Sequence, residues 1–445
     1  MARAALELRM HAMSLRTRAL AVALAAAFAR FALVWPLAQV WPLARAVVAI
    51  SDDDFARVTI AQRFAVAPHL DPSGTSWLPA QFWALGSAGA LFGRSWESMH
   101  LASIAMGMAA AAYLGFVLHL AFPRGPTAWV ASVAPLLATW ATWTGACTVP
   151  EGYTGLLSTA ALVALAEPRY PWHAALALGV AALSRYEVWP VVAVVAALGW
   201  RYKRGPWATA GVLAPLGWMA WNAHAHGDAL HFLARVATYR AAHAPAEAHA
   251  GLHYPAIAAL GAAWFALAIP AALLPPRSAS DPFGVLRNAL ALGAVCTVVF
   301  LAYGDARGGA PTHHAERALI GVWAMLTVLA VAAVRNAREC GTRWSHGLAM
   351  MAVVACFLQV SVEAYKIEYR ALPGESRASA FAQGRALSGR SAILLRPCAY
   401  EHYAFAAGYG APERVRVLPA APLAAICPQV VLVGEEALRQ GEPLR

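Results

Sequence analysis

A polytopic bundle of membrane-spanning helices, all-α and carrying a small C-terminal α/β domain, is the fold this sequence predicts. Three observations predict it. First, 60% of the 445 residues are hydrophobic and only 13% are charged, whereas a soluble domain usually carries about 25% charge. Second, apolar stretches of roughly 20 residues, the length that crosses a bilayer, recur along most of the chain. Third, the loops between them alternate in character: those on one side each carry Arg or Lys, and those on the other gather nearly all the unusual polar residues.

The apolar runs read as eleven spans, near residues 19–38, 99–121, 127–144, 153–166, 172–184, 188–200, 207–222, 255–274, 288–303, 318–334 and 347–364. The fourth and fifth are short for a hydrocarbon core of about 30 Å. The basic N-terminus MARAALELRMHAMSLRTR leads into the first run, which is too long for a signal-peptide core, so an uncleaved first helix is expected. Arg30 lies inside that run. A charge at the bilayer centre costs about 2.5–3.5 kcal/mol on insertion scales, so Arg30 should face the bundle or an interface. The apolar segment 77–93 is interrupted by Pro79 and three glycines and reads as a partly interfacial helix pair.

Short basic loops orient a membrane protein, with the basic side cytoplasmic. That accounts for a net charge of +11 without a nucleic-acid partner. With the N-terminus inside, the loops FPRGPT, EPRYPWH, RYKRGP, PPRSASDPFGVLR and RNARECGTRWSH all fall inside. The segments SDDDFAR, TVPEGYTG, SRYEVWP, the histidine-rich stretch 224–253 and GDARGGAPTHHAER then fall outside. Polar residues at membrane depth are expensive and usually mark function. Their collection on one face is therefore the main functional signal.

An odd number of spans places the chain after residue 364 outside. That divides the sequence into a membrane domain, 1–364, and an extracytoplasmic domain, 365–445. In the latter, the β-rich runs AILLR, RVRVL and QVVLVG flank a helical stretch around Tyr400 to Ala407. The six cysteines show no metal-ligand spacing. Cys398 and Cys427 could pair in an oxidising compartment; if instead the first two strands are parallel and the third joins them, the two cysteines sit at opposite sheet edges about 17 Å apart, beyond the roughly 7 Å that a disulfide allows.

Each polar segment has two readings. Asp52, Asp53 and Asp54 stand too close to relax apart, so one carboxyl should titrate high unless a cation or arginine compensates. They offer a general base, with Asp52 and Asp53 as candidate ligands if a divalent cation such as Mg or Mn takes part. Alternatively they cap a helix beginning at FARVTIAQRF. Arg185 and Glu187 form either a structural ion pair or an anion site. Glu151 favours a helix N-terminus through the dipole. Asp305, Arg307, His313, His314, Glu316 and Arg317 form a basic cluster suited to a phosphate, or else a solvated loop. The histidines from 224 to 253 lack ligand spacing and read as loop residues.

The order of these segments resembles the GT-C superfamily of integral membrane glycosyltransferases. SDDDFAR is similar to the acidic motif that this superfamily carries in its first extracytoplasmic loop. HLDPSGTSWLPAQFWALGSAGALFG resembles a proline-containing segment ending in Leu-Phe-Gly, found in the protein mannosyltransferase-like and lipid A aminoarabinose transferase-like branches. SRYEVWP resembles an Arg-Tyr-Glu element of bacterial members, and THHAERAL occupies the place of a late basic loop. The likeness covers about residues 15 to 330. The late loop departs from the family's frequent Arg-Tyr, and the C-terminal domain matches none of its better-known ones.

The resemblance implies transfer of a sugar from a polyprenyl-phosphate donor to a lipid, glycan or protein acceptor outside the cytoplasmic (inner) membrane. It implies Asp53, then Asp52, as general base, in a single displacement that inverts the anomeric centre. Arg185, His313, His314 or Arg317 would stabilise the leaving phosphate, with Asp54, Arg57, Glu151, Glu187 and Glu316 also lining the substrate. A transporter of lipid-linked or anionic substrates would instead show internal repeats and midplane charges. No repeat is evident. A non-catalytic scaffold gives no reason for five polar segments to share a face.

Overall fold

The computed structural model describes residues 2–43, 52–74, 76–123, 126–137, 139–168, 170–243, 251–261, 272–273, 282–308, 315–341, 347, 375–389, 393–395, 401–417, 430–432 and 442–443; in the first of these, side chains are described over 15–35 only. The predicted span 347–364 beyond its first residue, most of 255–274, and Cys398, Cys427, His313 and His314 lie outside them.

The described chain is mostly helical. Among the described residues, four helices are long and apolar enough to cross a membrane: Leu15–Trp35 within α1 (Ala2–Leu43), α4 (Trp96–Ala121), α14 (Pro282–Ala306) and α16 (Ile320–Glu339). Between them lie the shorter helices α2 (Asp52–Phe64), α3 (Ala80–Phe92), α5 (Thr127–Val133), α6 (Thr139–Gly145), α7 (Glu151–Ala164), α8 (Trp172–Ala182), α9 (Trp189–Arg201), α10 (Trp207–Ala210), α11 (Leu213–His226), α12 (His231–His243), α13 (His253–Leu260) and α15 (Ala315–Ala318). One apolar core joins α1, α4, α7, α14 and α16.

Three expectations are corrected. The span predicted at 127–144 is broken into α5, a 3-10 turn at Ala134–Leu137 and α6. Pro135 lies in the break, where it removes one backbone donor and crowds the preceding turn. The span at 207–222 is likewise two pieces, α10 and α11. The segment 77–93 forms one helix rather than a pair, starting just after Pro79. Proline is well placed there because the first N–H groups of a helix have no intrahelical partner.

Arg30 is 1% exposed within α1. Its Nη1 donates to the Ala141 carbonyl oxygen at 2.7 Å, while Nε and Nη2 have no hydrogen-bond partner among the described residues. Glycine makes room for it: a Cβ at Gly145 would stand 2.1 Å from Arg30 Nη2, and one at Gly152 2.8 Å.

Toward the C-terminus, α17 (Glu375–Ala386) and α18 (Glu401–Tyr409) accompany a short mixed sheet. Its strands are β1 (Ile393–Leu395), β2 (Val415–Val417), β3 (Val430–Leu432) and β4 (Glu442–Pro443), in the order β3-β1-β2-β4. β1 and β2 are parallel, with Ile393 opposite Val415; β3 runs antiparallel to β1. The two helices cross backbone to backbone. A Cβ at Gly384 would stand 2.1 Å from the Phe405 carbonyl oxygen, and one at Gly408 2.3 Å from that of Phe381. Backbone cannot swing aside as a side chain can. Gly384→Val is therefore expected to part α17 from α18 and destabilise this region by about 1–3 kcal/mol or more, the usual cost of overpacking. Limited proteolysis of the purified protein would show faster cleavage after residue 375 in the variant; an unchanged pattern would refute the close crossing.

Candidate active site

The three aspartates occupy the first turn of α2, where the helix dipole favours negative charge. Successive residues on a helix point about 100° apart, so the three carboxylates diverge. Asp54 turns inward and is 0% exposed. Its carboxylate accepts from Thr148 N at 2.7 Å and from Thr148 Oγ1 at 2.9 Å. Asp52 turns toward α17 and meets Arg377 in two bonds, 2.9 and 3.0 Å long. Asp53 meets Arg317, Nη1 to Oδ2 at 3.0 Å.

Arg317 is the hub. Its Nη2 and Nε both reach Glu151 Oε1, at 2.7 and 3.1 Å. Glu151, at the start of α7, also faces Arg185 Nη1 at 3.2 Å. Arg185 sits between α8 and the 3-10 turn Tyr186–Val188 in extended backbone, and its Nε and Nη2 both donate to the Glu187 carboxylate. One chain of charges therefore runs Asp53, Arg317, Glu151, Arg185, Glu187. Its members come from four separate polar segments of the sequence.

Exposure divides their roles. The Asp53 side chain keeps 39% of its surface accessible, Glu151 2%, Arg317 7% and Arg185 21%. Asp53 is thus the member of this chain best able to meet a substrate. Glu151 Oε2 is buried with no hydrogen-bond partner among the described residues. Glu151 is one of the residues lining a cleft between α7, α9, α14 and α16 with about 320 Å³ of empty space, part of it open to solvent. Arg185, Glu187, Arg317, Thr154, Ser158 and Thr297 line it too.

The arginines settle the protonation of the acids. Burial pushes the Asp53 carboxyl up, but Arg317 and Arg57 outweigh that and hold it below its ordinary value. Burial likewise raises Glu151, and Arg317, Arg185 and Arg57 bring it down to about 2. Burial works against the charge on Arg185 and Arg317, yet their carboxylate partners raise both above the ordinary arginine value. At Asp53 and Glu151 the neighbouring guanidinium groups thus outweigh burial and favour the ionised carboxylates.

Arg57 is 1% exposed. It donates to Gln81 Oε1 at 2.7 Å, and Gln81 passes the link on to the Thr148 carbonyl oxygen at 2.8 Å. Its guanidinium lies over Trp77, 4.5 Å from the ring centroid. Arg57 and Asp54 thereby clamp α2 to the turn before α7. Glu316 lies in α15 beside Arg317 in sequence. Asp305 pairs elsewhere, with Arg240 at 2.7 Å. The histidines assigned to a loop are partly helical: His224 and His226 end α11, and His231 begins α12. Sequence reasoning missed Gln81, Thr148 and Arg377; the first two lie within segments it singled out, but nothing in the local sequence marks those positions.

A divalent cation does not fit the donors described. Asp52 and Asp53 each bond a different arginine, and among the described residues no three His, Cys, Asp or Glu side chains group closely enough to hold a metal. Arg57 and Arg317 also place positive charge where a dication would sit.

No family model matches the chain, and no curated protein does. Among solved structures, the apo oligosaccharyltransferase of Archaeoglobus fulgidus aligns over 89% of this chain and 64% of its own, at 12% identity and a TM-score of 0.54. The AglB oligosaccharyltransferase of that organism, in complex with an inhibitory peptide and a dolichol-phosphate, aligns over 88% and 63%, at 12% identity and a TM-score of 0.50. ArnT from Cupriavidus metallidurans is a looser likeness, with a TM-score of 0.45. These neighbours are GT-C superfamily membrane glycosyltransferases. The likeness is one of fold, and the chain spans about 64% of the length of the archaeal enzyme.

Proposed function

From that shared fold, we propose that the protein is a GT-C-type membrane glycosyltransferase, a hexosyl- or pentosyltransferase that uses a polyprenyl-phosphate sugar as donor. The observation that carries the reading is Asp53: an ionised, accessible carboxylate at one end of an otherwise buried acid–arginine chain that borders a cleft. The archaeal AglB seen with a dolichol-phosphate supports a donor of this class. The acceptor is a hydroxyl or amine on a lipid, glycan or protein. The site faces outward from the inner membrane in a multi-pass chain whose N-terminus lies inside, and residues 365–445 form a second, extracytoplasmic domain.

The chemistry follows from the charges. The acceptor oxygen or nitrogen bonds to the sugar's C1 while its proton passes to Asp53. The bond from C1 to the phosphate oxygen breaks, and the lipid phosphate leaves with the electron pair. Attack and departure on opposite faces invert the anomeric centre. Arg185 and Arg317 stand ready for the charge that grows on the phosphate, and their own acids hold them in place beforehand. Glu151 Oε2 offers an acceptor to a sugar hydroxyl. Asp54 and Arg57 act through the placement of α2.

The depressed carboxyl of Asp53 sets the pH dependence. A group whose pKa lies below its ordinary value stays charged as pH falls, and loses its charge only below the usual aspartate range. Turnover limited by Asp53 should hold level from pH 7 to 5 and fall only below about pH 4. The stability supplied by the depressed Glu151 follows the same sign: present above the unfolded glutamate value of about 4.3, lost as pH approaches 2. A pH–rate profile with an acid limb centred near 6 would place the proton acceptor elsewhere.

The reading is tested by mass spectrometry of cell-envelope glycans and lipid-linked sugars from a deletion strain and its complemented parent. A sugar that disappears on deletion and returns with the gene, while its lipid-linked donor accumulates in between, is the expected result. Unchanged glycans and donors would refute it.

A further inference from the structure

Helices α17 and α18 pack directly on α2. Phe381 meets Trp96 edge-on at 5.3 Å between centroids and lies 6.1 Å from Phe55. Gln62 donates to the carbonyl oxygen of Ala407 at 2.9 Å, and Thr59 to that of Tyr403 at 3.3 Å. Arg94, just after α3, pairs with Glu413 at 2.9 Å. These contacts bring Arg377 to the first turn of α2 from 325 residues away.

Its guanidinium grips Asp52 fork to fork, and its Nη1 faces Glu401 at 3.2 Å. Both oxygens of Asp52 are thus engaged. Paired geometry of this kind gives direction as well as attraction. It matters because Asp52 and Asp53 are neighbours in one turn, and Arg317 has a second obligation to Glu151. An ungripped Asp52 would repel Asp53 and compete with it for Arg317.

We infer that Arg377 is a positioning residue of the transfer site, an inference that rests on the reading of Asp53 as the base. By holding Asp52 it leaves Arg317 to Asp53 and keeps the accessible carboxylate on an arginine that itself lines the cleft. The C-terminal segment is then a working part of the catalytic centre rather than a separate binding module.

The test uses the purified full-length protein, a polyprenyl-phosphate sugar and its acceptor. Arg377→Ala should lower kcat about ten-fold with donor KM changed less than about two-fold, the pattern of a contact that acts in the transition state. Arg377→Lys, which keeps the charge without the fork, should recover part of the loss. The deciding variant is Arg377→Ala combined with Asp52→Asn. Removing the released charge should return kcat to within about three-fold of the parent, a non-additivity that only an action through Asp52 produces.

If Arg377 merely staples the tail to the bundle, the double variant is no better than Arg377→Ala and both melt earlier, which overturns the inference. Should Arg377→Ala fail to fold, Arg377→Gln with and without Asp52→Asn makes the same comparison. An inactive Asp53→Asn beside a fully active Arg377→Ala would sink this inference alone. An active Asp53→Asn would sink the reading beneath it.

Discussion

Replacing Asp53 with Asn is expected to lower transfer by about 10²–10⁴-fold, the usual worth of a positioned general base. The fold should survive. Asn presents an oxygen at the same place, so the 3.0 Å bond from Arg317 can persist. Glu151 still neutralises that arginine through its two bonds. The side chain is 39% exposed, so no buried cavity opens. What vanishes is the negative oxygen that takes the acceptor's proton. The measurement is turnover of donor in detergent, alongside a melting curve. A melting temperature within a few degrees of the parent together with lost turnover is the expected pair. Near-parental turnover would move the base to Asp52, where the matching Asp52→Asn variant decides.

Arg317→Ala should do damage of both kinds. The change strands Glu151, whose carboxylate is 2% exposed and retains only Arg185 at 3.2 Å in the network. Breaking a buried pair by removing one partner costs about 3–5 kcal/mol. Asp53 also loses the bond that orients it, and the leaving phosphate loses a cation, each worth about 10²-fold or more. Arg317→Lys should not rescue, because a single ammonium cannot span Asp53 and Glu151 as the guanidinium fork does. Adding Glu151→Gln to Arg317→Ala separates the two effects. The double variant should regain much of the melting temperature and none of the turnover. Recovered turnover would show that Arg317 only props up Glu151.

Much of this arrangement was legible because topology and charge speak together. Asp53, Glu151, Arg185, Glu187 and Arg317 were all singled out by their place in loops assigned to one face, and they meet in one network. The division of labour among the three aspartates was not legible. It depends on the residue at which α2 starts, since a shift of one position turns each carboxylate by about 100°. Arg377 was hidden for a different reason: it stands in an unremarkable stretch, and only tertiary packing brings it to Asp52. Gln81 and Thr148 act through backbone and amide contacts that no spacing rule exposes. Pro135 was a plain signal of a break, but the apolar residues on both sides of it made the stretch read as one span.

Arg30 has a consequence for how the chain is made. The first helix leaves the ribosome well before the carbonyl that satisfies its guanidinium, which lies 111 residues downstream at Ala141. Until α6 and α7 arrive that guanidinium lacks its carbonyl, and a charge in an apolar helix is expensive, up to about 2.5–3.5 kcal/mol at a bilayer centre on insertion scales. The helix's lodging in lipid is therefore provisional during synthesis. Its final seat is secured retroactively by a later part of the same polypeptide, which makes biogenesis, and not only the finished protein, sensitive to the glycines that receive the arginine.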